Sequence, residues 1–299
     1  MKNLIFTAIT IVAYLSSFPA FGQSPPDSIV RRLQAERAYY KTLGQEYSPD
    51  STVTVSKTTI SDIKGYWFNE HLLDRPRIIL YLHGGGYIMG SMDTYRPMLT
   101  HLAKHLGAAV LFIEYSLAPE HPFPVANLEA LGVYQDLIMR YPDHKITVAG
   151  DSAGGGLAIS LVHYASQARL PLPASLTLVS PWIDLKNDNE SFVTRQALDP
   201  ILDRKTLERY AAYYAPNGIE EADPSELTFT EFPPVLLMVG TDEVLIDDAK
   251  NFYAYIKPVQ RKARLKVYAG QKHVWPVSDI HSQESVAALD DIRDFVAKH

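Results

Sequence analysis

The serine of "GDSAGG", Gly150 to Gly155, stands between the apolar run "KITVA" and the helical stretch "GLAISLVHY". That is the G-x-S-x-G pattern in its required setting, a sharp strand-to-helix turn whose glycines permit a crowded backbone. Ser152 is therefore a candidate nucleophile rather than a helix N-cap. A serine hydroxyl needs an adjacent base, normally histidine, which a carboxylate orients. In such elbows the partners follow in the order Ser, acid, His. Downstream, the run "PPVLLMVG" ends in "TDEVLIDDA", and "ARLKVYAG" ends in "QKHVWP". Asp242 lies nearest the first strand end and is the expected acid, with His273 as the expected base. Glu243, Asp247 and Asp248 share the acid loop, but the last two suit the first turn of the next helix, where the dipole favours acids. His101, His105 and His163 fall in helical patterns and His299 is terminal, leaving His281 as the near competitor of His273.

A second glycine cluster, "LHGGGYIMG", directly follows the apolar run "RIILYL". Three consecutive glycines are costly to order. Acyl transfer gives the cost a purpose, because its tetrahedral intermediate is best held by preorganised backbone N–H groups. Ala153, after the nucleophile, supplies one donor at a helix start. Gly84 and Gly85 are the expected others, with Gly86 as the bend and His83 fixing the loop's shape. The glycines fit neither G-x-x-x-x-G-K-[ST] nor a dinucleotide fingerprint, and H-E-x-x-H is absent, so phosphate cradles and metal hydrolysis are disfavoured.

These residues need a scaffold that brings strand ends to one edge. Eight β-rich runs recur: "STVTVS", "KGYWF", "RIILYL", "AAVLFIEY", "KITVAG", "SLTLVS", "PPVLLMVG" and "ARLKVYAG". The later ones are nearly continuous apolar segments, as strands buried on both faces of a parallel sheet read. Long helical patterns separate them, which predicts a helix-covered α/β sheet. Val286, Leu289, Ile292 and Val296 sit at helical spacing in a terminal amphipathic helix. Two stretches fit the alternation poorly, about 27–45 and 186–230, and each could cap the active-site end of the sheet. Tyr210, Tyr213 and Tyr214 in the second would either wall a pocket or fill the cap's own core.

The 299 residues, 46% hydrophobic, can bury one catalytic-size domain. A net charge of −6 gives no basic footprint for nucleic acid. Cys is absent, so disulfides, thiol chemistry and cysteine metal sites are excluded. The start, "MKNLIFTAITIVAYLSSFPAFG", has one Lys, a short apolar run and a small-x-small site, and reads as a signal peptide over 1–22 or an uncleaved anchor. The expectation is an exported protein, periplasmic or secreted, with a domain over 23–299. No other run approaches the roughly 20 apolar residues of a membrane span.

Together "HGGGY", "YSLAPEHPFP", "GDSAGG", "SPWIDL", "TDEVLIDD" and "QKHVWP" resemble the hormone-sensitive-lipase-like, bacterial family IV esterases of the α/β-hydrolase fold. The motifs run in family order from about residue 78 to the C-terminus. The resemblance implies an eight-stranded, mostly parallel sheet with a helical cap, no cofactor, and hydrolysis of carboxylic esters, often short-chained, with water as co-substrate. Carried over by position it implies Ser152, Asp242 and His273 as catalytic residues and Gly84, Gly85 and Ala153 as oxyanion donors. Lactone or amide hydrolysis would use the same machinery, and a non-catalytic binding homologue would be expected to lack a triad member. Two departures stand out. The usual Tyr-Arg-Leu-Ala-Pro-Glu reads Tyr115-Ser116-Leu117-Ala118-Pro119-Glu120, and the usual Asp-Pro-Leu of the acid loop reads Asp242-Glu243-Val244.

Overall fold

The computed structural model describes residues 27–299, so the leader expected over 1–22 lies outside the described residues. Eight strands form one sheet in the order β1-β2-β4-β3-β5-β6-β7-β8. They are β1 Val55–Ile60, β2 Ile63–Phe68, β3 Arg77–Leu82, β4 Ala109–Ile113, β5 Lys145–Asp151, β6 Ser175–Val179, β7 Val235–Gly240 and β8 Arg264–Tyr268. β1 and β2 run antiparallel, and every pairing from β4 to β8 is parallel. The first strand begins four residues later than "STVTVS" suggests, because its partner β2 holds it in register from Val55 to Ile60.

Helices cover both faces: α1 Asp27–Thr42, α2 Met92–Leu106, α3 Val125–Arg140, α4 Ala153–Gln167, α5 Ser191–Thr194, α6 Arg204–Tyr214, α7 Ile246–Ile256, α8 Trp275–Ser278 and α9 Gln283–Lys298. The pleat of β3 shows why its sequence is apolar throughout. Ile78, Leu80 and Leu82 join a core with Leu137 of α3 and Leu157 and Leu161 of α4. Ile79 and Tyr81 join the opposite core with Leu99 of α2 and Leu289 of α9. Burying each such aliphatic side chain contributes about 1.5–3 kcal/mol. In α9 the inward stripe is Ser285, Ala288, Leu289, Ile292, Phe295 and Val296, whereas Val286, expected inside, is exposed. Its place is taken by Ser285, whose hydroxyl donates to the carbonyl of Asp279 and whose N–H is capped by the Ser282 hydroxyl.

The parallel strands set all their carboxyl ends on one edge. Loops after β3, β5, β7 and β8 consequently converge there, while the expected cap segments carry α1 and, further along the chain, α5 and α6. Among the described residues no helix is long and apolar enough to cross a membrane.

Candidate active site

The turn after β5 holds Ser152 at φ 50°, ψ −123°, a left-handed conformation that costs strain and lifts the side chain off the sheet edge. The flanking glycines make the turn possible. A Cβ on Gly150 would meet the carbonyl oxygen of Gly154 at 2.5 Å, and one on Gly154 would meet that of Leu82 at 2.0 Å. The strand end and the first turn of α4 therefore touch with no side chain between them.

His273 reaches across from the loop after β8, its Nε2 3.0 Å from the Ser152 hydroxyl. Its other nitrogen, Nδ1, lies 3.1 Å from Oε2 of Glu243. The carboxylate facing the imidazole is thus one residue beyond Asp242, the acid expected. Asp242 is half-buried, and its carboxylate accepts the hydroxyl hydrogen of Thr241 at 2.8 Å instead of facing the imidazole. The physical reason is the turn leaving β7. The Asp242 N–H is bound to the carbonyl of Gln271, which aligns that residue with the neighbouring loop, and the next side chain turns inward. Glu243 is fully buried, with Oε1 accepting the Gly240 N–H at 2.5 Å and the Ser180 hydroxyl at 2.9 Å. The Ser180 oxygen in turn accepts the N–H of Val274 at 3.1 Å, so one hydroxyl at the end of β6 ties the acid's loop to the histidine's.

The glycine loop requires a second correction. The Gly84 N–H is already occupied, donating to the Tyr95 hydroxyl at 2.9 Å and to Oδ1 of Asp151 at 3.1 Å, so it is not a free donor. Gly85 and Gly86 have positive φ, +103° and +62°, and their N–H groups have no partner among the described residues, nor does that of Ala153. The pair of open donors expected at Gly84 and Gly85 sits at Gly85 and Gly86. A Cβ on Gly84 would meet Asp151 Oδ2 at 2.4 Å, and one on Gly86 would meet the Tyr210 ring at 2.4 Å. Bare backbone is needed for packing as much as for φ.

His83 shapes this loop, as its position beside it suggested. Its Nδ1–H donates to the Gly84 carbonyl at 2.7 Å, and its ring stacks on Tyr115 at 4.1 Å. Burial lowers its pKa to about 4, against the Gly84 hydrogen bond, so the ring stays neutral. Beneath the nucleophile, Asp151 accepts hydrogen bonds from Tyr81 and Tyr95, each at 2.8 Å. Burial raises its carboxyl to about 6, with those two hydroxyls opposing the rise. Tyr210 lies on Gly86, and Tyr214 stacks on Tyr87 at 3.8 Å and donates to Asn127. Ser116, standing where the related pattern has arginine, donates with its N–H and hydroxyl to Glu129, while Arg37 of α1 forks onto Glu120.

Residues 79–277 match the family model described as the alpha/beta hydrolase fold. An acetyl-hydrolase of Streptomyces hygroscopicus is 35% identical over 250 residues, covering 82% of this chain and 81% of that protein. An esterase of Acinetobacter venetianus is 33% identical, covering 83% and 84%. The crystal structure of an esterase from the bacterial hormone-sensitive lipase family superposes with a TM-score of 0.85 at 30% identity, over 100% of this chain and 98% of that one. With its sheet, motifs and relatives in agreement, the chain belongs to the α/β-hydrolase family, on its hormone-sensitive-lipase-like esterase branch, and is a serine carboxylesterase.

Proposed function

We propose that this esterase hydrolyses short-chain carboxylic esters through an acyl-enzyme on Ser152, with His273 as base and Glu243 as the orienting acid. The observation that carries the reading is the unbroken relay from Ser152 Oγ to His273 Nε2, 3.0 Å, and from Nδ1 to Glu243 Oε2, 3.1 Å. As Oγ bonds to the ester carbon, its proton passes to Nε2, while the Nδ1–H stays hydrogen-bonded to the carboxylate that stabilises the imidazolium. The carbonyl electron pair moves onto oxygen, which accepts hydrogen bonds from the N–H groups of Gly85, Gly86 and Ala153. Each such donor is worth roughly 2.7–4 kcal/mol in comparable sites. The imidazolium then protonates the departing alcohol. Water, losing a proton to His273, attacks the acyl carbon and frees Ser152.

The similarity to an acetyl-hydrolase of Streptomyces hygroscopicus supports small acyl groups. Rates across p-nitrophenyl esters of two to twelve carbons test this, with peak kcat/KM expected at two to four. A maximum at eight or longer would refute the chain-length reading, and a Ser152→Ala protein as active as the parent would refute the mechanism. The leader-like Met1–Gly22 supports export, which N-terminal sequencing of secreted or periplasmic protein would check.

A further inference from the structure

Helix α1 carries Glu36, Arg37 and Tyr40 along one face, since Tyr40 lies four residues beyond the first and three beyond the second. All three reach the active-site edge. Glu36 pairs with Arg209 at 2.7 Å, beside the Tyr210 that lies against Gly86. Arg37 donates to the carbonyls of Ile88 at 2.7 Å and Ala118 at 3.0 Å, and forks onto Glu120. Ile88 itself closes the turn of the glycine loop through its N–H to the carbonyl of Gly85.

The hydroxyl of Tyr40 lies 3.0 Å from that of Tyr95. The direction of this bond follows from proton counting. Tyr95 has one hydroxyl hydrogen, which is spent on Asp151 Oδ2 at 2.8 Å. Tyr40 is therefore the donor, and the Tyr95 oxygen accepts two hydrogen bonds, from Tyr40 and from the Gly84 N–H. That oxygen has no capacity left. The peptide immediately before the two open donors of the loop is thus held by a hydroxyl whose orientation is fixed from α1.

We propose that Tyr40 is a positioning residue for the oxyanion loop, acting through Tyr95 on the Gly84 peptide, so that the seating of α1 sets the alignment of the Gly85 and Gly86 N–H groups. The inference rests on the reading of those groups as oxyanion donors. Tyr40 touches no reacting atom, so it changes how well the developing oxyanion is bound and leaves binding of the planar ester alone. A structural role of Tyr40 alone would lower thermal stability without separating these two quantities.

Tyr40→Phe and Tyr95→Phe enzymes, with the exposed neighbour Tyr39→Phe as control, are compared for kcat, KM, Tm and inhibition by an aryl trifluoromethyl ketone. In that inhibitor Ser152 Oγ bonds to the ketone carbon, the carbonyl pair becomes an oxyanion in the loop, and the hydroxyl proton passes to His273. Tyr40→Phe should lower kcat three- to tenfold with KM within twofold, and raise the ketone inhibition constant by the same factor as kcat falls. Tyr95→Phe should do more, and adding Tyr40→Phe to it should cost nothing further. An inhibition constant unchanged in Tyr40→Phe, whatever happens to Tm, overturns the proposal. So does full additivity in the double variant. Inhibition of the parent that disappears in Ser152→Ala verifies the underlying catalytic reading on its own, so a failed relay and a failed site give different results.

Discussion

Replacing Glu243 by glutamine separates the two candidate acids in one experiment. The carboxylate accepts three hydrogen bonds: Gly240 N–H at 2.5 Å and Ser180 hydroxyl at 2.9 Å on Oε1, and His273 Nδ1–H at 3.1 Å on Oε2. Glutamine has one acceptor oxygen. If that oxygen keeps the Gly240 and Ser180 bonds, its amide N–H₂ faces His273 and makes Nδ1 the acceptor. Nε2 then carries the hydrogen and cannot take the proton of Ser152. Holding the wrong tautomer in a comparable triad lowers kcat about 10⁴-fold, and at 1.36 kcal/mol per decade that is about 5.4 kcal/mol of lost transition-state stabilisation. If the amide flips, its N–H₂ instead opposes the Gly240 N–H, and leaving that buried donor unpaired costs about 1–3 kcal/mol of stability. Glu243→Gln should therefore lose about 10³- to 10⁴-fold in kcat on p-nitrophenyl acetate with KM little altered, or lose Tm with it. Asp242→Asn keeps the oxygen that receives the Thr241 hydroxyl and should stay within threefold of the parent. The reverse ranking, with Asp242→Asn inactive and Glu243→Gln within fivefold, would refute the assignment.

Other outcomes follow from the same geometry. Ser180→Ala removes the hydroxyl that serves both Glu243 and Val274, and should lower kcat about tenfold, by loosening the base, with KM nearly constant in steady-state assays. Gly86→Ala must place a methyl 2.4 Å from the Tyr210 ring at φ +62°, so kcat/KM should drop at least tenfold; activity near the parent's would remove Gly86 from the oxyanion loop's close packing. Stability should respond to pH through two buried groups of opposite sign. His83, lowered by burial from 6.5 to about 4, makes the unfolded chain the stronger proton binder in that window, so its contribution is full above 6.5 and falls by about 3 kcal/mol as pH drops toward 4. Asp151, raised by burial from 3.8 to about 6, binds its proton more tightly when folded, so its contribution is full below 3.8 and falls by about 3 kcal/mol as pH rises through 6. In Asp151→Asn the second dependence vanishes. Urea melts should find this variant steeper than the parent in its decline between pH 6.5 and 4; parallel curves for the two proteins would refute the linkage.

Strand content and helix order were legible because a parallel sheet writes itself as apolar runs alternating with longer amphipathic ones. Ser152 and His273 were legible for a similar reason, each following a run that ends at the sheet's carboxyl edge. The carboxylate that faces His273 was expected one residue too early because strand-end proximity says nothing about which of two adjacent carboxylates a turn rotates inward. A signal did exist: setting Leu245 against the leucine of Asp-Pro-Leu puts Glu243, not Asp242, at the aspartate. The Gly84 N–H could not have been ruled out from sequence, since its partners, Tyr95 and Asp151, are 11 and 67 residues away along the chain. Ser180 was hidden likewise, inside the motif "SPWIDL", with nothing local to mark a hydroxyl shared by two distant loops.

That shared hydroxyl also bears on how the enzyme fails. Glu243 and His273 follow β7 and β8, and β8 is one of the sheet's two edge strands, with Arg264, Lys266 and Val267 open to solvent. Segments with few buried apolar contacts lie at the low-stability end of a fold. Ser180 directly follows β6, two strands further in, so one hydroxyl ties the loops of both Glu243 and His273 to the sheet interior. On warming, activity should therefore be lost before the sheet melts, which residual esterase activity followed beside far-UV circular dichroism checks.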